Sequence, residues 1–119
     1  MATAAKEIIP EAIRNPLSVF NVKDKSYVIT GATGAIGRTC AIALAALGAN
    51  VTAVGGNKAE LEELAGEIKA LKSGKVEIVN KRPKTEADCK AILDVACEKH
   101  NGVDGLFVAS GYNKAGFIH

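Results

Sequence analysis

The stretch Ser26–Gly48, SYVITGATGAIGRTCAIALAALG, constrains this chain more than any other. Gly31, Gly34 and Gly37 are spaced GxxGxxG where the apolar run Tyr27–Ile29 gives way to residues at helical spacing, Ile36, Cys40, Leu44 and Leu47. That pattern reads as a buried strand, a tight turn and the opening of a long helix. Glycine at the junction lets the backbone turn sharply and approach a ligand closely. The helix behind it presents unpaired N–H groups and a partial positive charge, both of which favour an anion. The stretch is therefore predicted to seat a phosphate, and a pyrophosphate fits.

The rest of the chain repeats this rhythm. Strands are predicted at Tyr27–Ile29, Val51–Val54, Val76–Val79 and Gly105–Ala109, with a first helix over Ala35–Leu47 stopped by Gly48. Asn57 followed by Glu60 reads as the cap of a second helix, whose buried face is Leu61, Leu64, Ala65, Ile68 and Leu71 and whose terminator is Gly74. Thr85 with Asp88 caps a third, lined on one face by Cys89, Ile92, Leu93, Ala96 and His100 and ended by Asn101 and Gly102. His100 is read as a partner for the carbonyls at that helix end. Strands that are continuously apolar, alternating with helices, belong to a parallel sheet covered on both faces. Right-handed crossovers then give a Rossmann-like, doubly wound α/β half-fold, β-α-β-α-β-α-β, with strand order 3-2-1-4 and a ligand crevice between strands one and four.

Residues 1–25 form an extension. Pro10 and Pro16 limit it to a short helix around Glu11–Arg14, and its apolar residues, Ile8, Ile9, Leu17, Val19 and Phe20, suggest packing on the body. Residues 26–119 are read as the N-terminal part of a dinucleotide-binding domain. Leu106–Ala109 would form an unpaired apolar edge, so the chain is expected to be a truncated portion of a longer protein. A net charge of +2 is too mild to imply nucleic acid, and no apolar run approaches the ~20 residues of a membrane span. Three cysteines, Cys40, Cys89 and Cys97, lack CxxC spacing, which points away from a zinc site and toward reduced thiols in a cytoplasmic protein. His100 and His119 have no ligand-like partners near them in the sequence, and no metal site is expected.

The residues from Phe20 to Gly116 resemble the N-terminal half of a short-chain dehydrogenase/reductase. TGATGAIG at Thr30–Gly37 is similar to the family's TGxxxGxG turn, and VDGLFVASG at Val103–Gly111 to its DxLVNNAG segment. The middle glycine falls at Gly34 with Ala35 in the usual position, the TGxxGxxG spacing of the extended and atypical branches. Val108, Ala109 and Ser110 replace the Asn, Asn and Ala of the second segment, and Gly111 is retained. The resemblance implies a dinucleotide cofactor held by Gly31, Thr33, Gly34, Ala35, Ile36, Gly37, Gly56, Asn57, Lys58, Ala109 and Gly111. At the end of the second strand an NAD site wants a carboxylate for the ribose hydroxyls. Gly55, Gly56, Asn57 and Lys58 stand there instead, which favours NADP(H) and leaves NAD(H) open, with Lys58 and Arg38 offering positive charge. Lys81, Arg82 and Lys84 follow strand three, and read as a solvated loop whose guanidinium also suits a base or phosphate.

The family's chemistry uses a tyrosine and a lysine spaced YxxxK. Tyr27 lies inside the first predicted strand, and Tyr112 is followed four residues later by Gly116 instead of lysine, so no catalytic residue is assigned within the chain. The resemblance places the catalytic pair beyond His119, and the 119 residues alone are expected to be inactive. Ser110, Tyr112 and Asn113 stand near the mouth of strand four, where a substrate would enter. The leading reading is the cofactor-binding portion of an NAD(P)-dependent oxidoreductase that interconverts alcohols and carbonyls, its partners a dinucleotide, a small carbonyl or alcohol and, as an open option, copies of itself. A non-catalytic NAD(P)-binding regulatory protein is the alternative, and a fold kept for protein contact a third.

Overall fold

The computed structural model describes residues 9–111. A one-turn helix, α1 (Glu11–Arg14), and a 3-10 turn at Pro16–Phe20 lead into a body in which β1 (Ser26–Thr30), α2 (Ala35–Ala46), β2 (Asn50–Gly55), α3 (Lys58–Leu71), β3 (Val76–Asn80), α4 (Glu86–His100) and β4 (Gly105–Val108) alternate. All strand pairs are parallel and the order is β3-β2-β1-β4, as the sequence predicts. The chain steps outward from β1 to β2 and β3, then crosses back to β4 on the other side of β1. Strand order therefore reverses between β1 and β4, where an open α/β sheet leaves a crevice at its carboxyl edge.

Helices cover both faces of β1 and β2, which are therefore mostly apolar on both. Ile29, Val51 and Ala53 pack with Leu61, Leu64 and Ile68 in one layer, and Val28 and Val54 with Ile92 and Ala96 in the other. The predicted face of α3 is buried through Ile68, whereas Leu71 is 40% exposed. His100 differs from its predicted role. It is buried and its Nε2 stands 3.3 Å from the Val51 carbonyl oxygen of β2, tying α4 to the sheet instead of closing its own helix.

The apolar period of α2 marks the helix and part of its buried side, since Cys40 and Leu44 are partly buried against the core. Ile36 and Leu47 are exposed, and the residues buried outright are Gly37, Ala41 and Ala45. The cause is proximity: a Cβ on Gly37 would run into the carbonyl of Gly31, so the helix lies too close to the first turn for large side chains. Caps follow the sequence more closely. Asn57 Oδ1 accepts the Glu60 N–H at 3.2 Å, and Thr85 and Asp88 form both halves of a capping box at 3.1 and 3.2 Å. Asn101 (φ 61°) and Gly102 (φ 129°) end α4 as predicted. Gly74 does not stop α3. Lys72 takes the left-handed position at φ 57°, and Gly74 instead makes room for the Ala49 carbonyl.

The extension also differs from expectation. α1 forms behind Pro10, yet it and the 3-10 turn bury nothing, and Ile9, Leu17, Val19 and Phe20 are exposed. Ile8 lies outside the described residues, as does His119 at the other end of the chain. Within the body β4 is one of the two edges of the described sheet, with Leu106 and Val108 exposed above an apolar groove of about 190 Å³ shared with Ile92 and Leu93 of α4.

Candidate functional site

The turn from β1 to α2 is held from two sides. Ala32 N–H donates to the Val54 carbonyl at 3.1 Å and Ala109 N–H donates to the Thr30 carbonyl at 3.0 Å, so the ends of β2 and β4 are fixed against it. Across the point where strand order reverses, the Thr30 and Ser110 hydroxyls stand 3.0 Å apart in a hydrogen bond.

Each glycine of the turn has a different physical reason. Gly31 has φ +66°, and a Cβ there would lie 2.5 Å from Ser110 N and 2.6 Å from its Cα, so both conformation and crowding exclude a side chain. Gly37 lets α2 approach Gly31. Gly34 needs glycine for neither reason: its backbone is extended, φ −74° and ψ 167°, and a Cβ would meet only the Gly31 carbonyl oxygen at 3.4 Å. The space beside Gly34 is open, and it lies on a cleft.

That cleft has a volume of about 310 Å³. Gly31, Thr33 and Gly34 of the turn form one wall, Val54, Gly55 and Gly56 at the end of β2 another, and Lys81, Arg82 and Pro83 after β3 a third. Ala109, Ser110 and Gly111 after β4 close it. Two of its lining residues are cationic and none is acidic. The first turn of α2 points toward the Gly34 side, and by helix geometry its leading N–H groups lack intrahelical acceptors. The arrangement suits an elongated anion.

Of the residues expected from the sequence, Gly31, Thr33, Gly34, Gly56, Ala109 and Gly111 are brought together on the cleft wall. Ala35, Ile36 and Gly37 stand behind them in the first turn of α2, and Asn57 and Lys58 open α3 beside Gly56 without lining the cleft. Asn57 is committed to its cap. The cations differ from expectation: Arg38 pairs with Glu67 of α3, and the exposed Lys58 faces Glu62 at 4.0 Å. The cleft's positive charge comes from Lys81 and Arg82, in the segment read as solvated loop. Tyr112, Asn113, Gly116 and His119 lie outside the described residues.

Val54, Gly55, Pro83 and Ser110 also line the cleft, and none of them is among the cofactor residues that the resemblance implies. Asn80 Nδ2 donates to the Gly55 carbonyl at 3.1 Å and brings the ends of β2 and β3 together. Lys81 Nζ lies 3.6 Å from Asp88 Oδ1. Hydrogen bonding from Thr85 holds the Asp88 carboxyl below its usual range, with Lys81 adding a smaller pull in the same direction. Burial pushes the Cys40 thiol up, which leaves it a packing group on α2. Among the described residues no group of His, Cys, Asp or Glu could hold a metal ion, and no helix is long and apolar enough to cross a membrane.

A parallel sheet of order 3-2-1-4 with a glycine turn at its reversal point is a Rossmann-like fold of the dinucleotide-binding type. The chain belongs to the short-chain dehydrogenase family, whose model matches residues 25–119. It is 42% identical over 97 residues to an uncharacterized oxidoreductase of Mycobacterium tuberculosis, covering 82% of this chain and 35% of that protein. Among solved structures it is similar to a short-chain type dehydrogenase/reductase from Mycobacterium ulcerans, with 26% identity and a TM-score of 0.74 over 79% of this chain and 35% of the other. It is also similar to a 3-ketoacyl-(acyl-carrier-protein) reductase from Brucella melitensis complexed with NADH, with 34% identity and a TM-score of 0.64 over 71% and 34%. The chain spans about a third of the length of the curated relatives it matches.

Proposed function

We propose that this chain is the cofactor-binding portion of an NAD(P)-dependent oxidoreductase that interconverts alcohol and carbonyl groups, and that it favours NADP(H). The observation that carries the reading is the cleft at the reversal of strand order, walled by the Gly31–Gly34 turn and by Lys81 and Arg82, with no acid among its lining residues. The similar Brucella reductase, solved with NADH, supports a nicotinamide dinucleotide as the ligand class.

The residues fit such a molecule. Gly34, whose missing side chain would meet only the Gly31 carbonyl oxygen at 3.4 Å, admits a pyrophosphate close to the backbone, and the N–H groups of Ala35, Ile36 and Gly37 lie at the positive end of α2. Thr33 and Gly56, on the β2 side of the cleft, would flank the adenosine, and Ala109 and Gly111 line the side toward β4. When bound, the nicotinamide supplies or accepts hydride. The chain's own part is binding and orientation: Thr30 and Ser110 hold the β1 and β4 mouths in register, which fixes the floor on which a substrate would meet the cofactor. Neither tyrosine is followed by lysine at the YxxxK spacing, so the 119 residues by themselves are expected to bind without turnover.

The test is calorimetric titration with NADPH and NADH, with an assay for nicotinamide oxidation by the full-length protein over small aldehydes and ketones. Binding with turnover supports the enzyme. Binding without turnover supports the regulatory alternative, which Val108, Ala109 and Ser110 in place of the family's Asn, Asn and Ala favour. No binding defeats both.

A further inference from the structure

The end of β2 holds a glycine that its own backbone does not require. Gly56 is absent from the positive-φ residues, so a side chain there meets no conformational penalty. What excludes it is Arg82. A Cβ on Gly56 would lie 2.5 Å from Arg82 Nε, 2.7 Å from its second terminal nitrogen and 2.8 Å from Cζ. The guanidinium reaches across from the β3 loop and occupies the space a side chain at position 56 would fill.

Three features bring it there. Asn80 ties the end of β3 to the Gly55 carbonyl at 3.1 Å. Lys84 N–H donates to the Arg82 carbonyl at 2.8 Å, folding the loop around Pro83. Lys81, the neighbouring cation, is drawn toward Asp88 of α4 at 3.6 Å. Arg38 and Lys58 are paired within the helices, whereas Arg82 has no carboxylate within 4.0 Å among the described residues. It is the cleft cation left without an anion.

In a dinucleotide fold, the position just after β2 is where an acid would accept the ribose 2′-hydroxyl. Here that acid is missing and a guanidinium lies over the glycine in its place. We propose that Arg82 is the residue that selects the 2′-phosphate of NADP(H), and that Gly56 is its seat. This rests on the dinucleotide reading above. Planar and always charged, the guanidinium meets a phosphate through paired N–H donors. Arg82 is thus a specificity-determining residue contributed by the strand next to the one that carries the acid in an NAD site.

The test is titration of the full-length protein with NADPH, NADH, 2′,5′-ADP and 5′-AMP, for the wild type and for Arg82→Gln, Arg82→Lys and Gly56→Ala. Arg82→Gln is expected to weaken NADPH and 2′,5′-ADP by about ten- to a hundredfold, the worth of one or two charged hydrogen bonds, while NADH and 5′-AMP change less than about twofold. Arg82→Lys should recover part of the loss. Gly56→Ala, which only displaces the guanidinium, should lower the NADPH to NADH preference in the same direction. Equal weakening of all four ligands by Arg82→Gln would overturn the proposal in favour of stacking on the adenine. Unchanged binding in every variant would overturn it while leaving the dinucleotide reading intact. A wild type that binds none of the four would remove that reading and the proposal with it.

Discussion

Replacing Gly31 and Gly34 separately by alanine should divide the turn's two roles, one belonging to the fold and one to the ligand. At Gly31, φ +66° costs an L-residue about 1–2 kcal/mol. The added Cβ would also fall 2.5–2.7 Å from backbone atoms of Ala109 and Ser110, which no rotamer change can relieve. Overpacking of this kind costs about 1–3 kcal/mol. Gly31→Ala should therefore destabilise by about 2–5 kcal/mol, a large share of the ~5–15 kcal/mol that holds a domain together. At Gly34 the conformation is open to any residue and the nearest atom is an ordinary 3.4 Å away, so Gly34→Ala should cost only the poorer N-cap, about 1 kcal/mol or less. Its methyl group would instead stand where the pyrophosphate approaches. Urea unfolding followed by circular dichroism measures the first effect and dinucleotide titration the second. Gly34→Ala should keep its stability and lose at least about tenfold in affinity, roughly 1.4 kcal/mol. A Gly34→Ala protein that binds normally, or that unfolds as readily as Gly31→Ala, would refute the division of roles.

Other expectations follow from single residues. Thr52 is buried in β2 with its Oγ1 unpartnered, so Thr52→Val should raise stability by about 1 kcal/mol, read as a higher urea midpoint, and a fall would show that the hydroxyl has a partner. Asp88 titrates below its unfolded value, so its contribution is present above about pH 3.9 and is lost as the pH falls through the lower folded value. The difference in melting temperature between wild type and Asp88→Asn should accordingly be largest near neutrality and vanish in acid, and a constant difference would contradict the assignment. Ala45→Leu on the sheet-facing side of α2 should destabilise by about 1–3 kcal/mol, while Leu47→Ala on its exposed end should change stability by less than about 0.5 kcal/mol.

How much was legible in the sequence depended on whether a residue's role is local. The β1–turn–α2 unit and the Thr85–Asp88 and Asn57 caps could be read because each rests on periodicity or on neighbours three residues apart, and the strand order because right-handed crossovers restrict how alternating strands and helices can pack. The apolar period of α2 found Cys40 and Leu44 on the packed side but not the fully buried Gly37, Ala41 and Ala45, which are small in response to the distance to a strand that no helical period encodes. Glycines looked alike in sequence but differ in cause: Gly74 yields to the Ala49 carbonyl and Gly56 to Arg82, both distant along the chain. The cations were exchanged for the same reason. Arg38 and Lys58 lie near the motif in sequence, yet helix packing and an i,i+4 neighbour give them Glu67 and Glu62, and Arg82 reaches the cleft from the far side of β3.

The central claim is that the cleft between the Gly31–Gly34 turn and the Arg82 loop holds a dinucleotide. Isothermal titration of the full-length protein with NADPH, repeated with NADH, tests it most directly. One saturable site with tighter binding of NADPH is the predicted result, and the absence of heat with either dinucleotide would contradict the account.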